Sequence, residues 1–205
     1  MSFEISLSSG SIDLAEHGET IWRALKAATA DPQHDWRFVQ LATVDGQWPR
    51  VRTVVLRDVN PAQREIIAHT DRRTGKVTEI QVNPHVEWLA YDRETRTQVV
   101  LTGTAEVHLD DAVADEQWNA AAPEILRLYL APHAPGEPAE TASHNLPDDL
   151  INRIPTAEEL RSARKNFAVI RGVIEEVDIL TLNRDGNLRA RYQRENNWQG
   201  KWVQP

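Results

Sequence analysis

The stretch from Arg50 to Lys76 gathers the residue types that hold an anion. It carries Arg50, Arg52, Arg57, Arg64, Arg72, Arg73 and Lys76 against Asp58, Glu65 and Asp71, a local balance of 7 − 3 = +4. Of the 23 cations in the chain, 19 are arginines, and the planar guanidinium fork suits phosphate and carboxylate. Inside this stretch, His69-Thr70-Asp71-Arg72-Arg73-Thr74-Gly75-Lys76 reads as a strand end running into a helix start. Such a start presents unpaired backbone N–H groups and the positive end of the helix dipole. The Thr74 hydroxyl, the Lys76 ammonium and the Arg52 guanidinium could converge there on a terminal phosphate. The same residues also read as a capped helix with solvated cations, and at this level both readings stay open. A Walker loop is excluded because no G-x-x-x-x-G-K occurs, and none of the nine glycines forms the G-x-G of a dinucleotide fold.

Composition narrows the remaining chemistry. The chain has 205 residues and no cysteine, which removes disulfide scaffolds, zinc fingers, Fe–S clusters and thiol nucleophiles. The seven histidines show no H-x-x-x-H or H-E-x-x-H spacing, so no metal site is expected. No G-x-S-x-G elbow is present for a serine hydrolase. The formal net charge is 23 − 31 = −8, which argues against general binding to nucleic-acid backbone. No apolar run is long enough to span a membrane, and Met1–Gly10 lacks the basic and apolar regions of a signal peptide. The expectation is a cytoplasmic protein of one domain over residues 1–205, with no membrane or nucleic-acid partner.

The elements that must position these residues are legible in outline. Residues 13–30 have helical apolar spacing, with Asp13 as N-cap and Asp31-Pro32 as the stop. Strands are expected at 36–44, 48–57, 65–70, 86–91 and 97–108, with a hairpin turn at Asp45-Gly46. In the second of these, Arg52, Val54 and Leu56 share one face and Val51, Thr53 and Val55 the other. A short helix at 74–82 takes Thr74 as its N-cap and ends at Asn83-Pro84, and a longer one over 110–130 is broken at Pro123. Residues 131–155 hold five prolines and read as a functional or irregular loop. Thr156-Ala-Glu-Glu159 is a capping box opening a short helix. Strands at 168–174, 177–182, 188–194 and 198–203 finish the chain. Many antiparallel strands with interposed helices predict an α+β protein built on a β-barrel.

In order and spacing these blocks resemble the pyridoxamine 5′-phosphate oxidase-like flavoproteins, the FMN-binding split β-barrel family. The family strand R-x-V-L-L-K matches Arg52-Thr-Val-Val-Leu-Arg57, with arginine in place of the last lysine. Its Y-T-N-x-x-S-R-K matches His69 to Lys76, with Thr74 for the serine and Gly75 for the first basic residue. Asn83-Pro84 follows as in the family, and Q-V-x-x-x-G-x-A-E is met in full by Gln98 to Glu106. Its C-terminal R-L-H-D-R-F-x-Y-x-R is echoed by Asn187 to Arg194. The match is good over residues 36–108 and looser over 165–205.

The resemblance implies a homodimer with FMN at the subunit interface. Carried over by position, Arg52, Val54, Val55, Leu56 and Arg57 line the flavin. His69, Thr70, Arg73, Thr74 and Lys76 hold the ribityl phosphate. Gln98 and Arg191 reach the flavin from the other subunit, and Arg57 and Arg189 contact substrate. The departures bear on substrate. The family's Tyr-x-x-x-Arg-Pro falls on Trp118 to Pro123, where Ala122 replaces the arginine, and its substrate Arg and His fall on Asn187 and Arg189. A flavin-contacting tryptophan of the family falls near Leu180 or Thr181. The segment Trp118–Gly136, with Arg127 and Tyr129, resembles a divergent subgroup of FMN-dependent proteins. The reading is therefore an FMN-dependent oxidoreductase for a small organic substrate other than a vitamin B6 phosphate. The alternative is a non-catalytic flavin carrier or sensor. No residue is assigned as the catalytic acid or base. Trp198 and Trp202 could cover a ligand or pack at an interface.

Overall fold

The computed structural model describes residues 13–205, so the reading of Met1–Gly10 lies outside the described residues. Helix α1 (Leu14–Ala28) starts where the Asp13 carboxylate accepts the Ala15 N–H at 2.8 Å. Its buried face, His17, Ile21, Trp22, Leu25 and Ala28, recurs every three to four residues. The first strands are β1 (Phe38–Asp45), β2 (Trp48–Asn60) and β3 (Glu65–Asp71). Asp45 pairs with Trp48 across a two-residue turn in which Gly46 takes φ 61°, a conformation that favours glycine. Helix α2 (Gly75–Val82) leads into β4 (His85–Asp92) and β5 (Thr97–His108).

The expected helix over 110–130 is instead three pieces: α3 (Ala112–Ala120), α4 (Pro123–Leu126) and a 3-10 turn (Arg127–Leu130). Pro123 sits at the first position of α4, where its missing N–H costs nothing. The proline-rich stretch has no strand and only one 3-10 turn, Asp148–Leu150. It is held by Arg127, whose Nη1 donates to the carbonyls of Leu150, Ile151 and Arg153 at 3.1–3.2 Å. The capping box at Thr156 and Glu159 is present and opens α5 (Ala157–Ala163).

Strand β6 (Phe167–Thr181) corrects the expectation of two separate strands. The chain does not break at Glu175. It bulges there, because Thr102 pairs with Glu176 while Gly103 pairs with Ile174. Gly103 makes that approach possible, since a Cβ on it would lie 2.1 Å from the Val173 carbonyl oxygen. Strands β7 (Leu188–Gln193) and β8 (Lys201–Val203) follow. The last strand is shorter than expected because Asn197 and Trp198 take left-handed backbone, φ 51° and 61°. Trp198 instead lies over the Arg64 guanidinium, 5.4 Å from the ring centroid, with Trp22 at 5.1 Å, and Trp202 stacks on His17.

The sheet order is β3-β2-β1-β4-β5-β6-β7-β8, and β3 also pairs with β6. The first six strands therefore close into an antiparallel barrel, with β7 and β8 extending one edge. This is the expected α+β barrel with peripheral helices. Its interior is filled by alternate residues such as Val39, Leu41, Val54, Leu56, Ile66, Trp88 and Leu101, joined by the apolar face of α1. Each fully buried large aliphatic side chain there contributes roughly 1.5–3 kcal/mol. A second cluster, Ala114, Leu126, Tyr129, Leu160, Ala163, Phe167 and Val169, packs α3–α5 on the barrel's outside. Among the described residues no helix is long and apolar enough to cross a membrane.

Candidate functional site

Strand β3 ends at Asp71 and α2 begins four residues later, so the connection turns tightly at the barrel's end. There Lys76 Nζ donates to Thr70 Oγ1 at 3.0 Å, and the Thr70 and Thr74 hydroxyls are 3.3 Å apart. Thr74 occupies the N-cap position but does not cap, which corrects the expectation. Its hydroxyl donates back to the Asp71 carbonyl at 2.7 Å. The Gly75 and Lys76 N–H groups, which no helix carbonyl can reach, stay open to another acceptor. Lys76 has no carboxylate in ion-pair contact among the described residues. Burial, then the charge of Arg52, holds its ammonium below the ordinary lysine range. The charge of a bound phosphate dianion would favour the ammonium form and so oppose both effects.

Arg52 joins this cradle from β2. Its Nη2 contacts Glu79 Oε2 at 2.7 Å, and its Nη1 donates to the Thr43 hydroxyl and, at 3.4 Å, to the Leu41 carbonyl. Thr43 in turn donates to Glu79. Two lysine- and arginine-borne charges, two hydroxyls and two backbone N–H groups thus converge, a donor set that fits a terminal phosphate.

Two residues carried over to the phosphate lie elsewhere. His69 and Thr70 are neighbours on one strand, so their side chains point to opposite faces. Thr70 faces the cradle, whereas His69 meets Gln117 (Nε2 to Oε1, 3.0 Å) and stands edge-on to Phe167, centroids 4.9 Å apart. Arg73 also turns away. Its Nε and Nη2 engage the Asp71 carboxylate at 3.0 and 2.6 Å, and Nη2 reaches the Ala131 carbonyl at 3.0 Å. Val54 and Leu56 point into the core, so only their backbone could meet a flavin, while Val55 faces outward.

Arg57 has a different position from its strand neighbours. The register between β2 and β3 slips between Leu56 and Asp58, so Arg57 sits on a bulge that re-aims its side chain. It makes no ion pair with a described residue, and its buried Nε has no hydrogen-bond partner. Burial, and then the like charge of Arg37, lowers its pKa, and an arginine still stays protonated there. His69 lies close enough to feel the Arg57 charge. Burial first, opposed by the Gln117 hydrogen bond, lowers its pKa to about 4, so the imidazole is neutral. Its Nδ1 is buried without a partner. His69, Trp118, Tyr129 and Phe167 form an aromatic group beside the cradle, with Arg57 near enough for its charge to reach His69. The sequence offered Tyr129 and Trp118 only as members of a segment, and Gln117 not at all.

Gln98, Arg189 and Arg191 do not join either group within one chain. In sheet order β5 is three strands from β2 in both directions, and β7 lies outside the barrel. Arg189 and Arg191 share the Asp178 carboxylate, with contacts of 2.8–3.1 Å. Burial pushes that carboxyl up, but the two guanidinium partners outweigh it and hold it below its ordinary value. On the same outward face of the sheet, Phe38, Val51 and Tyr91 are 51%, 65% and 40% exposed.

Residues 19–109, which include both strands of the cradle and α2, match the model of the pyridoxamine 5′-phosphate oxidase FMN-binding domain. Over these residues, a little under half of the chain, the protein is similar to that FMN-binding domain. FMN is the cofactor of this family domain, in agreement with the donor set at the barrel's end. The chain is 28% identical over 199 residues to the dihydrophenazinedicarboxylate synthase of Pseudomonas chlororaphis, covering 89% of this chain and 79% of that one. In fold it is similar to a pyridoxamine 5′-phosphate oxidase-related FMN-binding protein of Nostoc punctiforme, with a TM-score of 0.64, 24% identity and coverage of 93% and 95%. It is equally similar in fold to PhzG of Burkholderia lata, solved with tetrahydrophenazine-1-carboxylic acid, with a TM-score of 0.65, 20% identity and coverage of 91% of each chain.

Proposed function

We propose that the protein is an FMN-dependent oxidoreductase acting on a small planar organic acid rather than on a vitamin B6 phosphate. The observation that carries this reading is Arg57, a half-buried guanidinium without an ion-pair partner among the described residues. His69 is near enough to feel its charge, and an anion bound there would be held at the guanidinium. The relative named for a dicarboxylate product is in keeping with a carboxylate substrate. A second phosphate, by contrast, lacks the arginine that the family places where Ala122 stands.

In this reading the FMN phosphate occupies the cradle of Arg52, Thr70, Thr74 and Lys76. Bound FMN would supply two-electron acceptance at this site. Arg57 binds and orients the substrate carboxylate. His69, neutral across the physiological range, adds no competing charge and backs the aromatic wall with Phe167. Arg189 contributes a further cation when the outward faces of two copies meet. The reading includes a homodimer through the apolar outward face of β1, β2 and β4 (Phe38, Val51 and Tyr91), which brings Gln98 and Arg191 to the partner's cofactor. A non-catalytic flavin carrier is the second reading, favoured by the complete engagement of the Asp178 carboxylate with Arg189 and Arg191.

Purified protein should be yellow and release FMN on denaturation. Under anaerobic conditions a dihydrophenazine carboxylic acid should bleach the flavin, and pyridoxine 5′-phosphate should not. Colourless protein that takes up no FMN would refute the reading. Bleaching by the B6 phosphate alone would overturn the substrate assignment, and a flavin reduced by neither would favour the carrier.

A further inference from the structure

Glu79 lies one helical turn beyond Lys76 on α2, yet it pairs with Arg52 rather than with the lysine. We propose that Glu79, together with Thr43, is a positioning residue that aims Arg52 at the FMN phosphate. This rests on the assignment of the phosphate to the cradle.

An arginine carries five N–H donors in a fixed plane. Glu79 Oε2, Thr43 Oγ1 and the Leu41 carbonyl take three of them, all on the two Nη groups. The side-on edge, formed by Nε–H and the second Nη2–H, is left without a described partner. That edge is the one that meets a phosphate through two parallel hydrogen bonds. Thr43 is 2% exposed and donates from β1 to Glu79 Oε2, the same oxygen that accepts from Arg52, so the contact between them is held from two sides. The helix start supplies the second observation. A Cβ on Gly75 would come within 3.2 Å of Glu79 Oε1, so the carboxylate fills the space over the first turn of α2. Glycine there leaves room for Glu79, at the position where the family pattern carries a basic side chain.

Glu79 therefore has two opposed effects on a bound phosphate. It removes one unit of positive charge from the cradle, and it holds the Arg52 fork in a single orientation. The geometry assigns the larger effect to orientation, because an unanchored arginine must be ordered each time the ligand binds.

The test is equilibrium dialysis of FMN and of riboflavin against apoprotein, with a thermal melt of each variant to check folding. Glu79→Ala should weaken FMN about tenfold, the scale of one lost charge-assisted hydrogen bond, and leave riboflavin unchanged. Glu79→Gln keeps an acceptor for Arg52 and should stay within about threefold of wild type. Thr43→Val removes the other anchor without changing size, should reproduce the selective loss, and carries the test should Glu79→Ala not fold. Unchanged or tighter FMN binding in Glu79→Ala would overturn the proposal. So would an equal loss of FMN and riboflavin, or a Gln variant as weak as the Ala variant. Lys76→Ala separates the two levels. If it binds FMN normally, the cradle assignment itself is wrong, whereas a loss there beside an unaffected Glu79→Ala refutes only the role of Glu79.

Discussion

At the residue scale, the cradle holds one cation paired with a carboxylate, Arg52 with Glu79, and one without, Lys76. Lys76 is half-buried with a threonine hydroxyl rather than a carboxylate as its neighbour. Arg52→Ala or Lys76→Ala should each cost about 1.5–3 kcal/mol of FMN binding, roughly a ten- to hundredfold rise in Kd by flavin fluorescence titration. Equal affinity in either variant would remove the phosphate from this site. His69 has a separate consequence for stability. Its folded-state pKa of about 4 lies below the ordinary histidine value, so between about pH 6.5 and 4 the unfolded chain binds the proton and the folded one does not. The stabilisation is complete above about pH 6.5 and is lost as the pH falls towards 4, by up to about 3 kcal/mol. In His69→Phe, the urea midpoint should fall less steeply than wild type over that window. Parallel profiles would show that His69 is not buried neutral.

At the element scale, two bulges set the site and the barrel. The bulge at Arg57 breaks the in–out alternation of β2, since both Leu56 and Val59 are buried. This leaves Arg57 half-buried between two core positions instead of on the regular outward row. The bulge at Glu175 lets β6 bend as one strand against β5, and it depends on the close approach at Gly103. Gly103→Ala should lower the melting temperature by an amount equal to about 1–3 kcal/mol or more, because backbone and not a flexible side chain must move. A melting temperature equal to wild type would show that the bend does not need glycine there.

At the scale of the whole molecule, the candidate site is divided. Arg52, Thr70, Thr74 and Lys76 come together in one chain, but Gln98, Arg189 and Arg191 stand on another part of the surface. The exposed apolar residues beside Gln98 suit a second copy of the chain. Sedimentation should report a dimer, and Val51→Glu should give a monomer that binds FMN weakly although every cradle residue is intact. A Val51→Glu monomer with full FMN affinity would show that one chain suffices.

Much of this was legible in local pattern. The hairpin at Asp45-Gly46, the Asp13 and Thr156 caps, and the alternation of β2 each depend on a few adjacent residues. The order of the motifs from Arg52 to Glu106 carried the resemblance to the FMN-binding domain, because spacing along the chain survives where single residues change. What the sequence left open depended on contacts between distant segments. Strand alternation sets His69 on the face opposite Thr70, and the nearby Asp71 carboxylate engages Arg73, neither of which a motif records. The closure of the barrel pairs Ala68 with Ile170, about a hundred positions apart. Glu79 meets Arg52 and Thr43 only because α2 packs across β1 and β5, next to β2, and the partnerless state of Arg57 follows from a one-residue slip that no motif records. The chain by itself determined which groups could hold a phosphate. Tertiary structure decided which of them face one another, because a guanidinium acquires its role from whether a carboxylate is within reach.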